Sequence, residues 1–429
     1  MGKICLCILV AFLLGYENGI GHEEKPLPHN PLPHPENLPH PPHPEHLPHL
    51  PHLPHPGHIP HPEHLPHPEN HNEKVAHGHP LSPEKHVKEI DISKKKMRFF
   101  QLMKGNTTLR FTNLGAAMTS FMISDSRGNP IDIILGYDTL EEYKNDTSYI
   151  GAIVGRVSNR IRNAEFKLGE KVYKLCANDG KNSFHGGPIG FSKVLWRVTS
   201  YKTKGRTPYI VFTYHSPDGD QGFPGKLVVS VMYSLIGESD LTVVMKAKNV
   251  GDKPSPVSMS QNNYWNLGGQ DTGNVLSEEI QIFAENYTPI GPDMLPVGII
   301  YPVHGTLFDF RTPEIIGIRI AQLPTGYDIN YALNAPPNGK KMRLAARVSD
   351  SRSGLRMDLF TNAPGMQFYT ANHFNNMKGK AGLIYQPAAG LCLNTQHFPD
   401  FVNQPTFPQS IIHPGETYRH HVIFKFSYH

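Results

Sequence analysis

Asn262 and Asn394 lie in two segments whose other residues suit proton transfer and hydrogen bonding. The first reads QNNYWNLGG over 261–269 and the second LCLNTQHFPD over 391–400. A carboxamide neither gains nor loses a proton near neutral pH, so neither asparagine can serve as a general acid or base. Each does offer donors and an acceptor to a polar ligand. His185 and Asp328 are of types whose pKa can be tuned for acid–base work. Arg160 carries a planar guanidinium with fixed donors for vicinal oxygens, and Asn159 and Gln367 add carboxamides. The chain therefore poses a choice between a catalyst and a binding site. Each residue also has a plainer alternative. His185 would serve as a turn histidine, Asp328 as a strand-end cap, Arg160 as half of a structural ion pair, and Tyr264 and Trp265 as core or cleft wall.

The elements that must position these residues read as strands. Segments 226–235 (KLVVSVMYSL), 241–248 (LTVVMKAK), 355–361 (LRMDLFT) and 418–426 (YRHHVIFKF) mix β-branched and aromatic residues with partial period-2 alternation. Turn signals separate them, among them Asp218-Gly219, Asn249-Val250-Gly251, Asn334-Ala335-Pro336-Pro337 and Asn338-Gly339. Many short strands from residue 97 to 429, with little helical periodicity, predict one large all-β sandwich domain with an ample core.

The chain of 429 residues begins differently. Residues 1–21 have Lys3, an apolar run over 4–14 and then a Gly-containing polar stretch, the layout of a secretory signal and too short to span a bilayer. Its removal would take Cys5 and Cys7 away and leave Cys176 and Cys392, a pair but no disulfide framework. Sequons at Asn106, Asn145 and Asn286 agree with a secreted glycoprotein. A formal charge of +4 with no basic stripe argues against nucleic acid, and no second apolar run is long enough for a membrane span.

Residues 22–96 form a His/Pro-rich, low-complexity arm predicted to be disordered. His40, His43, His46, His49, His52, His55, His58, His61, His64 and His67 recur at every third position, with prolines in most gaps. Proline excludes helix and ladder strand and favours polyproline II, which sets these imidazoles along one edge about 9 Å apart. That spacing is too wide for one ion on a straight segment, although a bend or two meeting arms would build a site for Zn²⁺, Cu²⁺ or Ni²⁺. The arm also gains charge as pH falls through roughly 6.5. A stiff, solvated spacer is the alternative.

Six motifs then occur in order: GAIVGRVSNRI (151–161), NSFHGGPIGF (182–191) followed by Trp196, YWNLGG (264–269), YDINYAL (327–333), QFYTAN (367–372) and TQHFPD (395–400). Together they resemble the aldose 1-epimerase (galactose mutarotase) family, with closest likeness to its plant-type members, over residues 97–428. The resemblance implies a large antiparallel β-supersandwich with a sugar cleft on one sheet face. No cofactor is expected, and a monomer is the default expectation. Mutarotation needs a base to take the anomeric hydroxyl proton while an acid protonates the ring oxygen. By the resemblance the base is a Glu where this chain has Asn394, and the acid is a His where it has Asn262. The sugar contacts carry over onto Asn159, Arg160, His185, Asp328 and Gln367, and Trp265 could add an apolar face.

Three functions follow as expectations. The leading one is a secreted hexose-binding member with weak or no epimerase activity. The second is an active epimerase in which His185, with Asp328 or water, takes over proton transfer. The third makes the His/Pro arm a metal- or wall-binding element carried by the sandwich.

Overall fold

The computed structural model describes residues 96–336 and 341–429. The signal segment, the arm with its ten histidines, Cys5, Cys7 and the Asn338-Gly339 turn lie outside the described residues. The rest is the all-β architecture expected. A nine-stranded antiparallel sheet runs in the order Arg197–Lys202, Tyr209–Ser216, Leu227–Ile236, Asp240–Asn249, Thr417–Tyr428, Leu355–Thr361, Arg343–Asp350, Glu279–Ile282 and Glu314–Ile315. A five-stranded sheet follows the order Tyr301–Pro302, Asn286–Thr288, Asp328–Ala332, Gly365–Tyr369 and Cys392–Gln396. Phe99–Lys104, Thr107–Thr112, Met118–Ser124 and Pro130–Asp132 form a third sheet. The α-helices among the described residues, Leu140–Asn145 and Ile316–Ile320, are single short turns.

Period-2 alternation explains which face each strand buries. In Leu227–Ile236 the side chains of Val229, Val231, Tyr233 and Leu235 are fully buried, and their neighbours are partly exposed up to Met232. Leu241, Val243, Met245 and Ala247 do the same on the next strand, as do Val422 and Phe424 on Thr417–Tyr428. Ile329, Tyr331, Met366, Phe368 and Leu393 of the five-stranded sheet enter the same core. Trp265 enters it too, its ring 4.8 Å from Phe424 and 6.0 Å from Phe121. The indole is therefore core and offers no face to a ligand.

The same alternation turns Asp328, Asn330, Gln367, Asn394 and Gln396 to the opposite face from Ile329, Phe368 and Leu393. Register places Asn330 opposite Gln367, and Gln367 opposite Asn394. A polar carpet on three adjacent strands is the platform on which a site can stand.

Asn106 is exposed at a strand turn and Asn145 at a helix end, whereas Asn286 is half-buried in a ladder strand. Cys392 is fully buried, Cys176 is half-buried, and no disulfide joins the two. Among the described residues no helix is long and apolar enough to cross a membrane, and no His, Cys, Asp or Glu cluster could hold a metal ion.

Candidate functional site

Asn159, Arg160, His185, Asn262, Asp328, Gln367 and Asn394 all line one cleft of about 210 Å³. They arrive from three parts of the fold. Asp328, Gln367 and Asn394 rise from the five-stranded sheet. Asn262 follows the short strand Ser260–Gln261, paired with Ile153–Val154. Arg160 sits opposite Phe184 in a two-stranded ladder, Arg160–Ile161 with Ser183–Phe184, and its flanking residues Asn159 and His185 take left-handed backbone angles. Gly186 follows because any Cβ there would strike the carbonyl oxygen of Gly155 at 2.0 Å, with φ at +88°.

His185 is locked from behind. Its backbone N–H donates to Asn159 O at 3.0 Å, and the Asn159 N–H donates to His185 Nδ1 at 3.1 Å. A nitrogen that accepts carries no proton, so the neutral ring bears its proton on Nε2. Burial, reinforced by the Arg160 charge, pushes the pKa down to about 3. At neutral pH His185 is thus a hydrogen-bond donor and a poor base.

Arg160 gives Nε to Asp179 Oδ2 at 2.6 Å and lays its guanidinium over the Phe184 ring, 4.7 Å from the centroid. The structural ion pair and the cleft position coexist, because that pairing engages one nitrogen and leaves the Nη groups to the cleft. Asp328 accepts at Oδ1 from Gln367 Nε2 at 2.7 Å. Burial raises its pKa, opposed by that bond and by Arg160.

The asparagines meet each other. Asn394 Nδ2 donates to Asn262 Oδ1 at 2.5 Å, across 132 residues of chain. Asn262 Nδ2 donates to the carbonyls of Ser148 and Tyr149 at 3.1 and 3.2 Å. Asn394 Oδ1, Gln367 Oε1 and Gln396 Nε2 remain buried without a protein partner. Each such atom costs about 1–3 kcal/mol unless something bonds it, so the side chains of this cleft keep hydrogen-bonding capacity that the protein itself does not use.

Several lining residues escape sequence reasoning. Gln396 was findable, since it stands two residues beyond Asn394 on the same strand face. Tyr149 packs its edge on the His185 ring at 4.9 Å. Tyr369 and His373 bond through OH and Nδ1 at 3.0 Å, and Phe374 stacks near Tyr264 at 4.9 Å. Tyr149, His373 and Phe374 come from loops, which carry no periodic signal.

A family model described as aldose 1-epimerase matches residues 98–425. The chain is 39% identical over 330 residues to galactose mutarotase of Mus musculus, covering 76% of this chain and 93% of that protein. It is 33% identical over 311 residues to aldose 1-epimerase of Escherichia coli, covering 71% and 87%. Among solved structures, an aldose epimerase homologue from C. elegans superposes with a TM-score of 0.71 at 25% identity, covering 78% of this chain and 99% of that one.

Proposed function

The chain belongs to the aldose 1-epimerase family, and on that premise we propose that its cleft binds a hexose or related carbohydrate while catalysing anomer exchange weakly or not at all. The observation that carries the reading is the 2.5 Å hydrogen bond between the carboxamides of Asn262 and Asn394. These stand where the resemblance calls for the acid and the base, and neither titrates. A positioned proton donor or acceptor is worth ~10²–10⁴ in rate, so the absence of both removes most of the advantage over spontaneous anomerisation in water.

The rival enzyme reading needs His185 and Asp328 to move the protons. His185 is a poor candidate base, with Nδ1 occupied and its pKa near 3. Asp328 has one oxygen committed to Gln367. Both fit better as sugar contacts: His185 and Arg160 donate, and Asp328 accepts. Polarimetry on fresh α-D-galactose and α-D-glucose tests the choice. The expected rate lies close to the buffer blank; a rate typical of an active epimerase, abolished in His185→Ala, would establish the rival.

The same proposal places the protein outside the cell, resting on the signal-like residues 1–21. Recovery from the medium of a chain starting between residues 15 and 22 is the expected result, and intracellular retention of the full chain would refute it. As a separate reading we propose that the arm binds divalent metal: removing residues 22–86 should abolish Zn²⁺ uptake, and uptake that does not depend on the arm would refute it.

A further inference from the structure

Hydrogen bonds behind the cleft wall decide which end of each carboxamide meets a ligand. Ser148 and Tyr149 turn backbone carbonyls toward Asn262, at 3.1 and 3.2 Å. Carbonyls only accept, so the NH₂ of Asn262 must face them and Oδ1 must face away. Ser148 O also accepts from the Tyr264 hydroxyl at 3.1 Å, which uses both its lone pairs. Asn262 Oδ1 can only accept as well. The group of Asn394 that approaches it is therefore the NH₂, and Asn394 Oδ1 is left buried and unpartnered.

The neighbouring strand repeats the pattern. Gln367 is directly opposite Asn394. Its NH₂ is drawn to the Asp328 carboxylate, so its Oε1 is also buried without a partner. Cross-strand neighbours hold their Cβ atoms about 4.5–5.5 Å apart, so the two unpartnered oxygens belong to adjacent side chains of the cleft lining. Gln396, two residues beyond Asn394, adds an unpartnered donor at Nε2.

We propose that Asn262 is a positioning residue that locks Asn394 with its oxygen toward the cleft, and that Asn394 and Gln367 together select a ligand presenting two neighbouring O–H donors. The inference rests on the carbohydrate reading of this cleft and narrows it to sugars whose vicinal diol is free at these two positions. An alkylated oxygen has no proton to give. It would leave a buried acceptor unmet and set lone pair against lone pair. The acceptor at Asn394 is thus relayed from two backbone carbonyls through two amides, and the one at Gln367 is set by the Asp328 side chain.

Calorimetric titration of the intact protein with D-galactose, D-glucose and their mono-O-methyl ethers tests this. Methylation at one or both of two adjacent positions is expected to weaken binding by about tenfold or more, and methylation elsewhere much less. In Asn262→Ala the Asn394 carboxamide can turn over, and the discrimination falls to about twofold or less. Asn262→Asp preserves the shape. It keeps an acceptor toward the Asn394 NH₂ whether or not it is ionised, so discrimination stays within about twofold of wild type. An Asn262 that only supported packing would lower affinity for every sugar alike and leave the preference for unmethylated sugars unchanged. Uniform tolerance of methylation, discrimination that survives unchanged in Asn262→Ala, or its loss in Asn262→Asp overturns the inference alone. If no sugar of the set binds the wild-type protein, the carbohydrate reading falls with it.

Discussion

His185 and His420 are both buried and both held neutral, with pKa values pushed down to about 3 chiefly by loss of solvent. They differ in what their nitrogens have left to offer. His420, on the nine-stranded sheet, places Nε2 3.1 Å from Thr361 Oγ1 and 3.0 Å from Thr395 Oγ1, and Nδ1 3.1 Å from Met259 O. The carbonyl only accepts, so Nδ1 bears the proton and Nε2 takes a hydroxyl; both nitrogens are spent. His185 spends Nδ1 on Asn159 and keeps Nε2–H for the cleft. The same contrast runs along one strand, where Asn394 holds a bare oxygen toward the cleft and Thr395 serves His420 in the core. A depressed pKa reports burial in both places. Between these two histidines, the one that lines the cleft is the one with a nitrogen left to offer.

The largest expected effect comes from breaking that contrast by placing titratable groups in the cleft. Asn262→His combined with Asn394→Glu should raise the mutarotation rate of D-galactose by ~10²–10⁴ over the wild-type protein in polarimetry. Asn394→Glu alone should stay near the wild-type rate. Its carboxylate would confront Asn262 Oδ1, which the Ser148 and Tyr149 carbonyls keep pointed inward, so the new carboxyl retains its proton. Equal gains from the single and double variants would show that Asn394→Glu suffices and that Asn262→His adds nothing.

Next in size is the core histidine. His420→Ala strips partners from two buried hydroxyls and a carbonyl and opens a cavity, with an expected loss of about 2–4 kcal/mol in denaturant unfolding. Sugar affinity should hold within about twofold once the protein is folded. His420 also contributes to acid sensitivity. Its folded pKa lies below the unfolded value of 6.5, so the unfolded chain binds more protons between the two. Stability is then lost as pH falls from 6.5 toward 3, together with contributions from His185 and from His397, which burial holds near 4. An unchanged acid slope in His420→Ala would mean that this imidazole is not protonated on unfolding.

His185→Ala should reverse the pattern. Losing Nε2–H costs one donor to the ligand, about tenfold in affinity, and the backbone bond between His185 N–H and Asn159 O remains to hold the turn. A variant that unfolds before it stops binding would place His185 with His420 as a structural residue.

How far the sequence announces these features depends on whether the signal is local. The alternation in 355–361 marks Leu355–Thr361 to the residue, and the strands predicted at 226–235 and 418–426 match Leu227–Ile236 and Thr417–Tyr428 to within two residues at each end. Inward and outward faces follow from the same period. The seven residues assigned to the cleft by type and motif do share it, but their relationship was not legible. No local pattern can tell that Asn262 and Asn394 bond each other, because their contact depends on how two distant segments fold together. Trp265 illustrates the converse: an aromatic beside a polar run reads equally as core or cleft wall, and only packing against Phe424 and Phe121 shows it to be core.

The smallest expected effect tests the boundary between the two regions at a single step of chain. Thr395→Val keeps the β-branched shape and removes the hydroxyl that His420 Nε2 shares with Thr361. Thr361 Oγ1 stays in place at 3.1 Å, so His420 keeps a partner and no buried nitrogen is stranded. The cost should be about 1 kcal/mol, the ordinary net worth of one hydrogen bond. Asn394, the preceding residue, points to the other face, so the preference for unmethylated sugar should stay within about twofold of wild type. A Thr395→Val protein that loses that preference would show the core histidine and the cleft amides to be one coupled network, with the strand between them transmitting changes across its two faces.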